Sequence, residues 1–360
     1  MKCKKILGLL LALILAVGMI PAAAAVDDPP TVNATSTIVV DAYTGRVIYE
    51  NNADEQRPIA SVTKIMTGYL ACDGLSLTDE KLDEMFTVSE YAAAADGTDG
   101  SSLYLLPGDR VSYEVLLYGT MLRSGNDAAM ALAEACAGSE EDFIEKMNEK
   151  AQELGMTNTH FASTNGLVDE NNYSTARDLA VLAKVAMENE LFAKVVGTWY
   201  IELGDYQIEN HNELLSRMRG ECLGIKTGFT TAAGRTLVSC AQRDGSKFII
   251  VTLNDSYDFD DHEALYDWAF KNYPANVLCE KGEEVSTYQI GGQTVSLVAS
   301  ETVVASVSHS SENVIESYIT LPASISGDRA KGEVAGTVTY LLNGEELAVV
   351  DLLYGANLVT

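Results

Sequence analysis

The stretch IASVTKIMT, Ile59 to Thr67, places Ser61 and Lys64 three positions apart in an apolar run just beyond Pro58. On a helix, side chains at i and i+3 lie on one face and reach each other. The stretch is then either the start of an ordinary surface helix or a nucleophile with its base. A lysine ammonium cannot accept a proton. If burial and a neighbouring cation depress its pKa, however, the neutral amine can take a serine proton without any histidine. Taken alone the spacing decides nothing, because a chain of this length holds roughly one SxxK by chance.

Two later stretches bear on the choice. Lys226-Thr227-Gly228 lies in a strand-like run that continues with Phe229-Thr230. On an edge strand these residues offer a cation and a hydroxyl donor for a carboxylate, and the glycine lets a ligand backbone approach closely; an exposed turn is the plainer alternative. Ser124-Gly125-Asn126 falls between two helical stretches, where a hydroxyl and an amide project from a tight connection. Ser-x-Asn recurs at Ser163-Thr164-Asn165 and Ser311-Glu312-Asn313, so context alone distinguishes Ser124.

That context comes from the order of elements. STIVVDAYTGRVIYE alternates like two strands joined at Thr44-Gly45. The period becomes helical over Ile59 to Cys72, Tyr113 to Leu122, Asp127 to Ala137, Ser139 to Leu154 and about Thr175 to Val196. It returns to two in WYIEL, YQIEN, LGIKTG, TLVSCAQ and KFIIVTL, and a helix around His262 to Lys271 follows. Strands first and last with helices between predict an α+β domain, its antiparallel sheet assembled from both ends of the segment and its helices forming a separate lobe. From Asn276 onward, short β-like runs separated by Gly, Asn and Ser predict a small all-β domain. The expected division is a leader over 1–25, a catalytic domain over 26–275 and a sandwich-like β domain over 276–360.

The leader reads as a secretory signal: Lys2, Lys4 and Lys5, an apolar run from Ile6 to Ile20, then Ala23-Ala24-Ala25. Removing it takes the formal charge from -28 to -31, with 21 basic against 52 acidic side chains. Such a chain repels nucleic acid and anionic lipid surfaces. Cys72, Cys136, Cys222, Cys240 and Cys279 remain, an odd, widely spaced set with no disulfide framework legible. His160, His211, His262 and His309 lie far apart without HExxH spacing, so no metal site is expected.

SxxK, then SxN between helices, then KTG on a strand is the ordered triad of penicillin-recognising serine enzymes. RPIASVTKIMT, RSGNDAAMALAE, THFASTNGL with YSTARDLA, GIKTGFTTAAGRTLVS and the tail KGEVAGTVTYLLNGEEL together resemble a low-molecular-mass penicillin-binding protein, a serine-type D-alanyl-D-alanine carboxypeptidase. The resemblance covers nearly all of residues 36 to 355. It implies that Ser61 attacks the carbonyl between two terminal D-alanines, Lys64 is its base and Ser124 passes a proton to the leaving D-alanine. Asn126 would hold the substrate backbone, Lys226 would support Ser124 and keep Lys64 deprotonated, and Thr227 would bind the terminal carboxylate. The backbone N–H groups of Ser61 and Phe229 would form the oxyanion hole. No metal or organic cofactor is implied. The implied partners are the peptidoglycan stem peptide ending in D-Ala-D-Ala and β-lactam antibiotics as acylating inhibitors, with the enzyme exported or cell-wall associated.

Two departures stand out. Asp258 in DSYDFDDH takes the place where better-known relatives carry a basic residue near the substrate carboxylate, which leaves that contact open. The chain also ends at ANLVT without the apolar-plus-basic segment of an amphipathic membrane anchor. A β-lactamase would share the three motifs but needs a glutamate in an ExxLN segment, which is not found between them. A catalytically silent cell-wall binding protein of the same fold is the remaining alternative.

Overall fold

The computed structural model describes residues 26–73, 81–97, 100–167, 170–290, 293–310, 312–322 and 327–358. The leader expected over residues 1–25 and Ser311 of the third Ser-x-Asn lie outside them. The chain divides into two compact units, Asp28–Arg243 with Lys247–Phe270, and Lys271–Thr360 with Asp244–Ser246.

The first unit opens with the expected hairpin, β1 (Ser36–Asp41) and β2 (Val47–Asn51). Asp41 builds its turn, with Oδ1 accepting from the N–H groups of Tyr43 and Thr44. After β3 (Arg57–Pro58) and a 3₁₀ turn (Ala60–Thr63), α1 (Lys64–Asp73) is buried on every side from Lys64 to Cys72, as a helix at the centre of a lobe must be. β4 (Met85–Thr87), α2 (Glu90–Ala93), β5 (Arg110–Ser112), α3 (Tyr113–Met121), α4 (Asn126–Ala137) and α5 (Glu140–Glu153) follow. Ser139 caps α5 by accepting from Asp142 N, the start its sequence predicts.

The long helix expected over Thr175 to Val196 is in fact two. After β6 (Tyr173–Ser174), α6 (Ala176–Glu188) stops at Asn189, whose extended backbone breaks the helix and whose side chain caps α7 (Glu190–Val196) at Phe192 N. The hairpin β7 (Tyr200–Leu203) and β8 (Tyr206–Glu209), the short α8 (Leu214–Arg217), then β9 (Cys222–Thr230), β10 (Gly234–Arg243) and β11 (Ser246–Leu253) complete the sheets. The final helix, α9 (Asp258–Asn272), begins four residues before its apolar periodicity. Asp258, Asp260 and Asp261 fill its first turn, where acidic side chains suit the helix dipole.

The main sheet runs β2-β1-β11-β10-β9, strands from both ends of the unit, as the order of elements predicts. β1 pairs antiparallel with β11 from Ser36↔Leu253 to Asp41↔Phe248. Its faces are covered from opposite sides: α6 packs on β1, while α9 reaches β10 and β11 through His262. All six residues of β1 are buried in consequence. β9, which carries Lys226-Thr227-Gly228, is the edge strand.

The second unit is all β. β12 (Ala275–Cys279), β13 (Glu284–Ile290), β14 (Gln293–Ala299), β15 (Val303–Ser306), β16 (Ile315–Thr320), β17 (Val334–Leu342) and β18 (Glu345–Tyr354) form a five-stranded antiparallel sheet, β13-β14-β18-β17-β16, and a β12-β15 pair. Leu297, Val338 and Leu352 lie in its own apolar core. Among the described residues no helix is long and apolar enough to cross a membrane.

Candidate active site

Ser61 lies in the 3₁₀ turn rather than in the helix proper, and Lys64 is the first residue of α1. The turn is under strain. Ala60 has φ +49, a left-handed conformation costing an alanine about 1–2 kcal/mol. Its surroundings impose that conformation: Thr236 Oγ1 of β10 donates to Ile59 O at 3.2 Å, and Asn172 Nδ2 donates to Thr63 Oγ1 at 2.9 Å.

The other motifs converge on this turn. Ser124, also left-handed at φ +62, joins α3 to α4, and Asn126 opens α4. The edge strand β9 passes so close that a Cβ placed on Gly228 would lie 2.9 Å from Ser61 N, which is why glycine stands there. Ser61, Ser124, Asn126, Thr227, Gly228 and Phe229 line one cleft of about 610 Å³. Lys64 and Lys226 are buried beside it. The candidate residues of the three motifs, with Phe229, are therefore brought to one place.

Lys64 Nζ lies 3.1 Å from Ser61 Oγ, 2.8 Å from Asn126 Oδ1 and 2.7 Å from Asn165 O. Burial, reinforced by the Lys226 charge and opposed by Asp127, holds its pKa well below the ordinary lysine value. Burial alone brings Lys226 down to about 7. Asp127, fully buried, instead organises the loop along the cleft: its carboxylate accepts from Ser102 Oγ at 2.7 Å, Leu103 N at 3.0 Å and Leu105 N at 2.9 Å.

Several cleft residues have no motif to announce them. Asn165 belongs to the second Ser-x-Asn and acts through its backbone carbonyl, so the copy that sequence context set aside is part of the site after all. Arg123 Nη1 lies 3.5 Å from His211 Nε2, and burial followed by nearby cations pushes that histidine down to about 4. Asp258 pairs with Arg235 of β10. A buried Ser239–His262 contact of 2.7 Å sits in the sheet–α9 interface and not in the cleft, so it has no access to a substrate.

The profile of the D-alanyl-D-alanine carboxypeptidase family matches residues 23–257, and that of the penicillin-binding protein 5 C-terminal domain matches 273–360. The chain belongs to the D-alanyl-D-alanine carboxypeptidase family. This carboxypeptidase is 32% identical to D-alanyl-D-alanine carboxypeptidase DacF of Bacillus subtilis, over 96% of its own length and 92% of the relative. It is 34% identical to DacC of Escherichia coli, over 89% and 83%. Among solved structures, penicillin-binding protein 5 of Haemophilus influenzae superposes with a TM-score of 0.77 at 28% identity, covering 93% of the carboxypeptidase and 100% of the relative. The carboxypeptidase is thus a serine hydrolase of the penicillin-binding protein 5 type, with an α+β catalytic fold and a β C-terminal domain.

Proposed function

We propose that Ser61 is the acylated nucleophile, Lys64 its base and Ser124 the relay that protonates the leaving group. The bonding of Lys64 Nζ carries this reading. A neutral lysine has two N–H donors and one lone pair, and Asn126 Oδ1 and Asn165 O can only accept. They take both N–H bonds. In that neutral form the lone pair is left for Ser61 Oγ, 3.1 Å away, and the serine O–H donates to the amine; the ammonium would instead donate its third N–H to Oγ.

The reaction then runs in two balanced halves. As Oγ bonds to the carbonyl carbon between the two terminal D-alanines, its proton passes to Lys64 and negative charge moves to the carbonyl oxygen. The N–H groups of Ser61 and Phe229 receive that charge in fixed positions. Ser124 hands its proton to the D-alanine nitrogen as the C–N bond breaks and takes up the one that Lys64 holds, which leaves Lys64 neutral again, with the Lys226 cation alongside. Water adds to the Ser61 ester and gives a proton to Lys64, the C–Oγ bond breaks, and Lys64 passes that proton to Ser61 Oγ. Asn126, Thr227 and Gly228 hold the substrate, and no metal or organic cofactor enters any step. β-Lactams, cyclic amides that present the same carbonyl, acylate the same oxygen.

The substrate in this reading is the peptidoglycan stem peptide ending in D-Ala-D-Ala, met outside the cytoplasmic membrane after export by the leader. The basic, apolar and small-residue order of residues 1–25 supports the export. Fluorescent penicillin labelling and D-alanine release from a pentapeptide, wild type beside Ser61→Ala, test it. The wild type takes label and releases D-alanine; Ser61→Ala takes no label and loses roughly 1,000-fold or more in turnover. Persisting activity in Ser61→Ala would sink the assignment.

A further inference from the structure

A carboxypeptidase cuts the last peptide bond only, so its cleft must recognise the free carboxylate one residue beyond the reacting carbonyl. Resting on the assignment of Ser61 above, we propose that Arg235 binds that terminal carboxylate and that Asp258 is the positioning residue that aims its guanidinium into the cleft.

The choice among cations follows from the structure. Lys64 and Lys226 are buried, Lys64 Nζ against Ser61 Oγ and Lys226 Nζ on Thr227 O, and burial with nearby cations lowers the His211 pKa to about 4. Arg123 and Arg235 are the arginines lining the cleft. Arg123 precedes Ser124 and leans on His211, whereas Arg235 stands directly across from Phe229 in the β9–β10 register, two residues along β9 from Thr227. Strand periodicity also sends Arg235 the right way. Ser239 on β10 meets His262 of α9, so Arg235, four residues earlier, projects from the same face toward the first turn of α9. Asp258 and Phe259 wait there.

The pair is asymmetric. The Asp258 side chain is only 3% exposed and that of Arg235 is 42% exposed, so the carboxylate forms the floor and the guanidinium faces the cleft. Nε of Arg235 donates to the single oxygen Oδ1 at 3.0 Å, and Nη2 lies 2.8 Å from the same oxygen. The Phe259 ring supports the guanidinium with its centroid 5.3 Å away. A guanidinium has five N–H donors. Both on Nη1 and the second on Nη2 therefore lack a partner among the described residues, and that outer edge is the parallel pair a carboxylate takes in two bonds. The backbone is pinned as well, since Arg235 O accepts from Asp255 N at 2.9 Å.

The experiment compares hydrolysis of diacetyl-L-lysyl-D-alanyl-D-alanine with that of its C-terminal carboxamide. Wild type prefers the acid. In Arg235→Gln, kcat/KM for the acid falls roughly 10- to 100-fold, the value of a charge-assisted hydrogen-bonded contact, while the amide is nearly unchanged. Asp258→Ala raises KM for the acid more than it lowers kcat, and Asp258→Asn, which keeps an acceptor oxygen, recovers most of the loss. A purely structural role would reduce both substrates equally, and that outcome overturns the proposal. So does a wild type without preference for the acid, or a preference that survives in Arg235→Gln and vanishes in Arg123→Gln. Mapping the penicillin adduct of Arg235→Gln separates the two assignments: label on Ser61 leaves the nucleophile intact, and label elsewhere removes it without touching the acid–amide comparison.

Discussion

At Lys64 two neighbours pull the amine in opposite directions. The Lys226 charge lowers its pKa and the Asp127 charge raises it, both acting on a group already depressed by burial. If the neutral amine is the base, kcat/KM falls as pH drops through the Lys64 pKa, which defines the acid limb of the pH profile. Lys226→Met removes a cation, so Lys64 becomes more basic and the limb moves to higher pH. Asp127→Asn moves it to lower pH. pH profiles of acylation by a chromogenic β-lactam read both shifts, and two shifts of the same sign would contradict the electrostatic account. Lys64 and Lys226 were legible in the sequence because each carries its chemistry in its own side chain at a characteristic spacing, whereas Asp127, which no motif announces, was not. Asn165 was not, because it contributes a backbone carbonyl, and any residue type has one. Arg235 was hidden for another reason: its position depends on the β9–β10 register and on a helix beginning at Asp258, earlier than the apolar periodicity indicates.

Among the elements, the 3₁₀ turn bearing Ser61 depends on the loop after α5. Gly166 has φ +80, and a Cβ there would lie 1.9 Å from Ala60 O and 2.8 Å from Thr63 Oγ1. Gly166→Ala therefore incurs about 1–2 kcal/mol for the left-handed backbone before any clash is relieved. Pushing Ala60 away displaces Ser61 from Lys64. The expected outcome is a lowered Tm together with β-lactam acylation slowed at least roughly 10-fold; an unchanged acylation rate in a folded variant would mean that the loop does not brace the turn. The sequence pattern gave a single helix over Ile59 to Cys72 because apolar spacing does not separate a 3₁₀ turn from an α-helix. It joined α6 to α7 for a similar reason: the apolar stripe continues past Asn189, and only the capping geometry there marks the break. That the antiparallel sheet draws on both ends of the segment was recoverable because strands sat there with helices between. The β12-β15 pair was not, since such short strands carry little periodicity.

For the molecule as a whole, the buried His262 lowers stability on the acid side. Burial brings His262 down to about 3, against an ordinary value near 6.5, and Ser239 and Thr252 hold its two ring nitrogens. Below pH 6.5 the unfolded chain binds a proton that the folded chain refuses, so the folded state loses stability as pH falls toward 3. At pH 5 this loss is about 2 kcal/mol relative to pH 7.5. His262→Gln removes it, and denaturant unfolding at the two pH values should show the variant losing about that much less than wild type. Equal losses would place the acid sensitivity elsewhere. The main sheet has a different consequence for how the enzyme comes into being. Strand β1 gains its second partner only when β11 exists, and the cleft around Ser61 takes walls from Phe229, Arg235 and Asp258. During synthesis Ser61 is therefore made early and waits for the edge strand and the guanidinium that line its cleft. No nascent chain shorter than about residue 258 can hold a complete active site, so catalytic competence is a property that the polypeptide acquires near the end of its first unit, by closing a loop of some two hundred residues.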